Sequence, residues 1–297
     1  MTRKVKKKIK PKKANKKELK KSYQKYLYSS TNNELLSYSK KADELILKIA
    51  PKKLYKYRSC SEESIENFES NTLWLSSPQH FNDPYDFKPH MSNDGLWKSC
   101  LSTNKELNKL YRNCKSICTH EQMEEFQASI APMIEENKKD MELKFEQFRN
   151  NICICSLSEI KDSLLMWSHY SDSYKGFCIE YDFNDMHNRL KGLLHPVFYD
   201  SKVIDIAKYT KYKNIHLLAI LNKSKEWSYE DEWRIIGHDD SFKGANWPVP
   251  KPKAIYFGCN MSNLHVDRLS KIADKLDIDK YLMKMKPDKY KLVPQKI

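Results

Sequence analysis

Three stretches of this sequence concentrate charged, polar and aromatic side chains of the types that could carry chemistry. In Leu54-Tyr55-Lys56-Tyr57-Arg58-Ser59, strand alternation puts Lys56 and Arg58 on one side and Tyr55 and Tyr57 on the other. Cations on one strand face present phosphate-binding charge at a cleft wall. The plainer reading is an edge strand whose charges are solvated. Residues 74–86, WLSSPQHFNDPYD, carry the turn signature Asn82-Asp83-Pro84, because Asn and Asp bond back to the backbone and Pro presets φ. Their polar and aromatic density exceeds what a connection needs, which makes Asn82 and Asp83 candidate ligand contacts. In residues 225–236 a strand would set Glu230, Glu232 and Arg234 on one face, with Trp233 and Ile235 on the other. Paired carboxylates beside an arginine suit sugar-bond chemistry: one stabilises a developing oxocarbenium while its neighbour orients or deprotonates the nucleophile. The alternative is a salt-bridge ladder on an edge strand, worth little. A fourth stretch, residues 162–170, places Trp167 and Tyr170 on one helical face but separates Ser168 from His169, so it reads as a helix packing its Trp and Met into the core.

The elements that must position these groups follow from periodicity and breakers. Residues 17–49 read as helical, interrupted at Asn32/Asn33, and Pro51 marks a boundary. Strands are expected at 54–58 and 72–75, flanking a short helix started by Ser61 with Glu62 and Glu63 in its first turn. Residues 97–150 are rich in Lys, Glu and Asn, with apolar positions at helical spacing that include Leu143, Phe145 and Phe148, and read as a helical insertion. Strands resume at 152–156, 176–181, 197–199, 232–236 and 254–257; helices are expected at 163–170 and 262–276, and a last strand near 282–285. The pattern is an α+β fold with a mixed or antiparallel sheet core. It divides into a disordered polybasic arm (1–26), a helical segment (27–50) and one domain (51–297).

Composition limits the function classes. Only 6 glycines are present, and neither G-x-G-x-x-G nor a P-loop occurs, which argues against Rossmann and P-loop nucleotide sites. The net charge of +14 is local: residues 1–26 hold 13 Lys/Arg and the single acid Glu18, so the remaining 40 basic and 38 acidic residues nearly balance. Such an arm tunes solubility or contacts nucleic acid and other polyanions. Eight cysteines without a signal peptide read as cytoplasmic thiols, and no apolar run is long enough to span a membrane. Cys114 and Cys118 with His120 lack a second ligand pair, so no metal is expected.

Taken in order, LYKYRS, WLSSPQHFNDPYD, ICICSLS, LLMWSHYSDSYKGFCIEYDF, KEWSYEDEWRII and AIYFG resemble the bacterial domain-of-unknown-function family 2971, over about residues 54–258. That label carries no chemistry. The order Arg58, Ser76, Glu232, with a strand–helix–strand unit between the first two, is also similar to that of ADP-ribosyltransferases, an analogy of fold order. This second resemblance implies a split sheet, NAD as substrate, a macromolecular acceptor, and a toxin or phage-defence role. It would put Arg58 on an NAD phosphate or ribose, Ser76 against the nicotinamide ribose, Glu232 on the ribose 2′-hydroxyl and the oxocarbenium, and Glu230 near the acceptor. The sequence departs from that pattern in lacking Ser-Thr-Ser and the early-strand histidine, which leaves Lys56 and Tyr57 as alternatives to Arg58. Two other readings stay open: a non-catalytic nucleic-acid binder using residues 1–26, and a metal-dependent hydrolase using Asp83, Asp86, Glu180, Asp182 or Glu232.

Overall fold

A computed structural model describes residues 15–29, 39–212, 215–238 and 244–297. Two helices, α1 (Lys16–Ser29) and α2 (Lys40–Ile49), precede the unit β1 (Lys53–Arg58), α3 (Glu62–Glu69) and β2 (Thr72–Leu75). Helices α4 (Asn93–Thr103), α5 (Lys105–Ile117) and α6 (His120–Asn150) follow, then β3 (Ile152–Ser158), α7 (Leu164–Tyr170), β4 (Phe177–Asp182) and α8 (Phe183–Arg189). Next come β5 (Leu194–Pro196), β6 (Phe198–Asp200), α9 (Ile215–Leu221), β7 (Asn222–Ser224) and a 3-10 segment, Lys225–Glu230. The chain closes with β8 (Glu232–His238), β9 (Ala245–Pro248), β10 (Ala254–Phe257), α10 (Asn263–Lys275), β11 (Asp279–Met285) and β12 (Leu292–Lys296).

Eight strands form one mixed sheet in the order β12-β11-β10-β4-β1-β3-β8-β5, in which only β10 and β11 run parallel. The expected α+β class with a mixed sheet is what the chain adopts. β1 is central, not an edge: it pairs antiparallel with β4 over its whole length, from Lys53↔Asp182 to Arg58↔Phe177. Towards β3 it holds a single register position, Tyr55↔Ser158. Beyond that point the two strands part, and β3's free edge is taken by Ser76, whose N–H and carbonyl both bond Ile154 (2.9 and 2.8 Å). The sheet is therefore split between β1 and β3, and Lys56 spans the split by donating from Nζ to the Ser156 carbonyl at 2.9 Å.

Local rules explain the framing elements. Ser61 caps α3 through the Ser64 N–H, Ser163 caps α7 through the Met166 N–H, and Thr119 with Gln122 closes a capping box on α6. The alternating Ile152-Cys153-Ile154-Cys155 run buries both faces, as a strand inside a covered sheet must. One apolar cluster gathers β3, β8 and α8, with Trp233 edge-on to Phe183 at 5.0 Å.

Three expectations change here. The arm does not extend to residue 26, because residues 16–29 form α1, whose Tyr23 and Leu27 are fully buried in the same cluster as Ile46 and Ile49 of α2. Lys16 and Lys20 meet Glu159, and the Tyr23 hydroxyl bonds His195 Nδ1 at 2.7 Å. Residues 1–14 lie outside the described residues. The helical insertion starts at Asn93 rather than 97, and Leu143 is exposed, because only the end of the 31-residue α6 meets the core, through Phe145 and Phe148. Glu230 does not lie on a strand. It ends the 3-10 segment, and Asp231, in the left-handed region at φ 39°, turns the chain into β8.

Candidate active site

The split between β1 and β3 opens a cavity of about 430 Å³. Lys56, Tyr57 and Arg58 enter from β1, Ser76 and Asn82 from the segment after β2, and Glu230, Glu232 and Arg234 from the 3-10 segment and β8. All these sequence candidates line one cleft, although the chain separates them by as much as 178 residues, from Lys56 to Arg234. Asp83 is the exception. It is buried beneath the turn, where its Oδ1 accepts the Tyr85 N–H at 2.9 Å, so it shapes the loop rather than facing a ligand.

At the base of the cleft lies a buried ionic cluster of three carboxylates and two cations. Arg234 donates to both oxygens of Asp86 (Nη1 to Oδ1 2.9 Å, Nη2 to Oδ2 2.5 Å), and its Nε donates to Glu232 Oε1 at 2.8 Å. Lys223 donates to Glu230 Oε2 at 2.6 Å and to Glu232 Oε2 at 3.2 Å, and its ammonium sits 4.9 Å from the centre of the Trp227 ring. Tyr170, at the end of α7, donates its hydroxyl to Glu230 Oε1 at 2.5 Å. Glu230, Glu232 and Arg234 are each no more than 3% exposed. Removing so many ions from water costs several kcal/mol apiece, and their mutual attraction roughly repays it, so such a cluster is poorly explained as a device for stability.

Its electrostatics separate the two glutamates. Burial alone would raise both. For Glu232 the charges of Arg234 and Lys223, with the Ser156 hydroxyl, overcome that and bring its pKa down to about 2. For Glu230 burial wins, helped by repulsion from Glu232, and its pKa is raised. Neighbouring carboxylates pushed in opposite directions are the usual arrangement of an ionised stabiliser beside a proton acceptor or donor. Burial also lowers the pKa of Lys56, with Arg58 beside it adding to the effect. Arg58 takes part in no ion pair among the described residues, and its buried Nη2 has no hydrogen-bond partner.

The backbone around α7 is strained in a way that fixes this geometry. Asp172, Ser173 and Tyr174 are three successive left-handed residues (φ 47°, 52° and 68°), a conformation costing roughly 1–2 kcal/mol each for residues with a Cβ. The Ser173 and Tyr174 N–H groups return to the Ser168 and Trp167 carbonyls, closing the helix that carries His169 and Tyr170 into the cleft. Gly176 follows, and a Cβ there would lie 2.0 Å from the Arg58 carbonyl oxygen.

Sequence reasoning did not select Lys223 or Tyr170 as site residues, and it named Asp86 only as a candidate metal ligand. Asp86 stands in the turn block and Tyr170 in the α7 block, so both were in view without a partner; Lys223 is one of 46 lysines and carries no local signal. Trp167 is buried as expected, its Nε1 donating to the Lys161 carbonyl at 2.8 Å. Of the carboxylates considered for a metal, Asp86 and Glu232 gather, but around Arg234 and Lys223; Glu180 accepts from Tyr256 and pairs with Lys53, and Asp182 caps α8. Among the described residues no three His, Cys, Asp or Glu side chains are grouped as a metal site. Nor is any helix among them long and apolar enough to cross a membrane.

Residues 166–235 match the model of a family described as Protein of unknown function (DUF2971), in accord with the resemblance read from the motifs. The matched segment holds α7 from Met166 on, Lys223 and the Glu230–Arg234 run, but neither Arg58 nor Ser76. No curated protein and no solved structure matches the chain.

Proposed function

We propose that the cleft is the active site of an enzyme that breaks the N-glycosidic bond of NAD and passes the ADP-ribosyl group to an acceptor. The observation that carries this reading is the convergence of Arg58, Ser76, Glu230 and Glu232 on one cavity, with the two glutamates driven to opposite protonation tendencies. Nicotinamide leaves with the bonding electron pair, and positive charge develops on the ribose. Glu232, held ionised and immobile by Arg234 and Lys223, is already oriented to stabilise that charge, with no reorganisation at the moment of reaction. Glu230, whose pKa is raised, takes the proton of the incoming nucleophile. Arg58, lacking an internal counter-charge, suits a phosphate oxygen of the substrate, and Ser76 and Asn82 supply hydrogen bonds at the rim.

Release of nicotinamide from NAD by the purified protein tests this. Glu232→Gln should slow it by about 10²–10³-fold, the usual cost of one preorganised electrostatic group. Release that survives Glu232→Gln at the wild-type rate would sink the assignment.

A further inference from the structure

A second groove, of about 630 Å³, runs along α3 beside the cleft, and Arg58 and Trp74 line both. We propose that this groove is the other half of the binding site and takes the adenosine half of the dinucleotide, with the pyrophosphate at Arg58 on the junction. The inference rests on the reading of the cleft as an NAD site.

Charge decides which part of the substrate goes where. Among the described residues that line the groove Arg58 is the only cation; the others, Glu63, Glu66, Asn67, Ser70 and Asn246 among them, offer carboxylates, amides and hydroxyls. A phosphate is therefore held at the junction and repelled farther in, whereas the hydroxyls and exocyclic amine of a nucleoside meet acceptors there. Arg58 needs such an anion, since a half-buried guanidinium with an orphaned Nη2 is left uncompensated without one.

Trp74 supplies the platform. It projects from β2 with 37% of its surface exposed, unusual for a large aromatic side chain at a cleft wall. Its indole lies against Gly244, where φ is +100° and a Cβ would come within 2.7 Å of the ring. Asn246 is its register partner on β9, so an amide stands beside the ring. A flat π-surface flanked by an amide is suited to stacking a base and bonding its edge.

The test compares NAD with nicotinamide mononucleotide, which carries the same leaving group and a phosphate but no adenosine. In Trp74→Ala the ratio of kcat/KM for NAD to that for the mononucleotide should fall about tenfold, as loss of one base–aromatic stack implies, and Trp74→Phe should restore most of it. Equal losses for both substrates, or no loss, overturn the proposal. Calorimetric binding of ADP separates this inference from the proposed reaction. If no nicotinamide is released but ADP binds the wild type about tenfold more tightly than Trp74→Ala, the groove stands and the NAD-cleaving reading fails. If nicotinamide is released with no preference for NAD over the mononucleotide, the groove fails and that reading stands.

Discussion

Replacing Arg234 with methionine removes one of the two cations that hold three buried carboxylates. Arg234 reaches Asp86 through two nitrogens, Glu232 through Nε and the Ile220 carbonyl through Nη1, so the substitution leaves at least two acidic groups without their main partner. Breaking a buried ionic group in this way costs about 3–5 kcal/mol. The titration of Glu232 points the same way: the charges of Arg234 and Lys223 hold its pKa down at about 2 against the cost of burial, so losing Arg234 weakens that hold. In a chain of this size each kcal/mol moves the melting temperature by about 2–4 °C, so a drop of roughly 6–20 °C is expected. The pH dependence has a definite sign. In the wild type the depressed pKa of Glu232 contributes stability that is complete above the unfolded value and is lost as pH falls from 4.5 towards about 2. In the variant, burial without Arg234 raises that pKa, so protonation relieves the defect. The deficit relative to wild type should be largest near neutrality and shrink as pH falls below about 5. Circular-dichroism melts at about pH 7.5 and about pH 4 measure it. A variant melting within about 2 °C of wild type near neutrality, or one whose deficit grows on acidification, refutes the account.

Two further substitutions probe the cleft's upper wall. Tyr170→Phe removes a hydrogen bond that holds the pKa of Glu230 down, so the acidic limb of the pH–rate profile should move to higher pH, with a rate loss of about tenfold or less at neutral pH and little change in melting; a limb that stays put or moves down contradicts the role given to Glu230. Gly176→Ala forces a methyl group against the Arg58 carbonyl and should cost about 1–3 kcal/mol in thermal melts while lowering nicotinamide release, and full activity at unchanged melting temperature would count against it.

What could be read from the sequence was whatever a single element encodes. Strand alternation placed Lys56/Arg58 and Glu232/Arg234 on common faces, and the Ser61 cap located α3, because a strand's period and a helix's first turn are local properties. The interior position of β1 was not legible. A short strand carrying Lys and Arg looks like an edge until β3 and β4, about a hundred residues later, cover it. The short strands β5, β7, β9 and β12 were missed because LHP, ANWP and LVPQK each contain a proline and NKS is wholly polar, so none reads as a β-branched or aromatic run. Glu230 was assigned to a strand because period two fits any alternating run; only the left-handed Asp231 shows that a 3-10 turn brings it beside Glu232. Lys223 was invisible for a different reason: its importance lies wholly in three carboxylates drawn from two other segments.

Asp86 and Arg234 are 148 residues apart in the chain. At ordinary rates of synthesis, about 5–20 residues per second, roughly 7–30 s pass between the making of Asp86 and the making of its cation. For nearly all of that interval the nascent polypeptide holds Arg58 and Ser76 but neither Glu230 nor Glu232. On the reading proposed above, a fragment ending before Glu230 would lack both glutamates of the cleft, and that wall is complete only once β8 has been added.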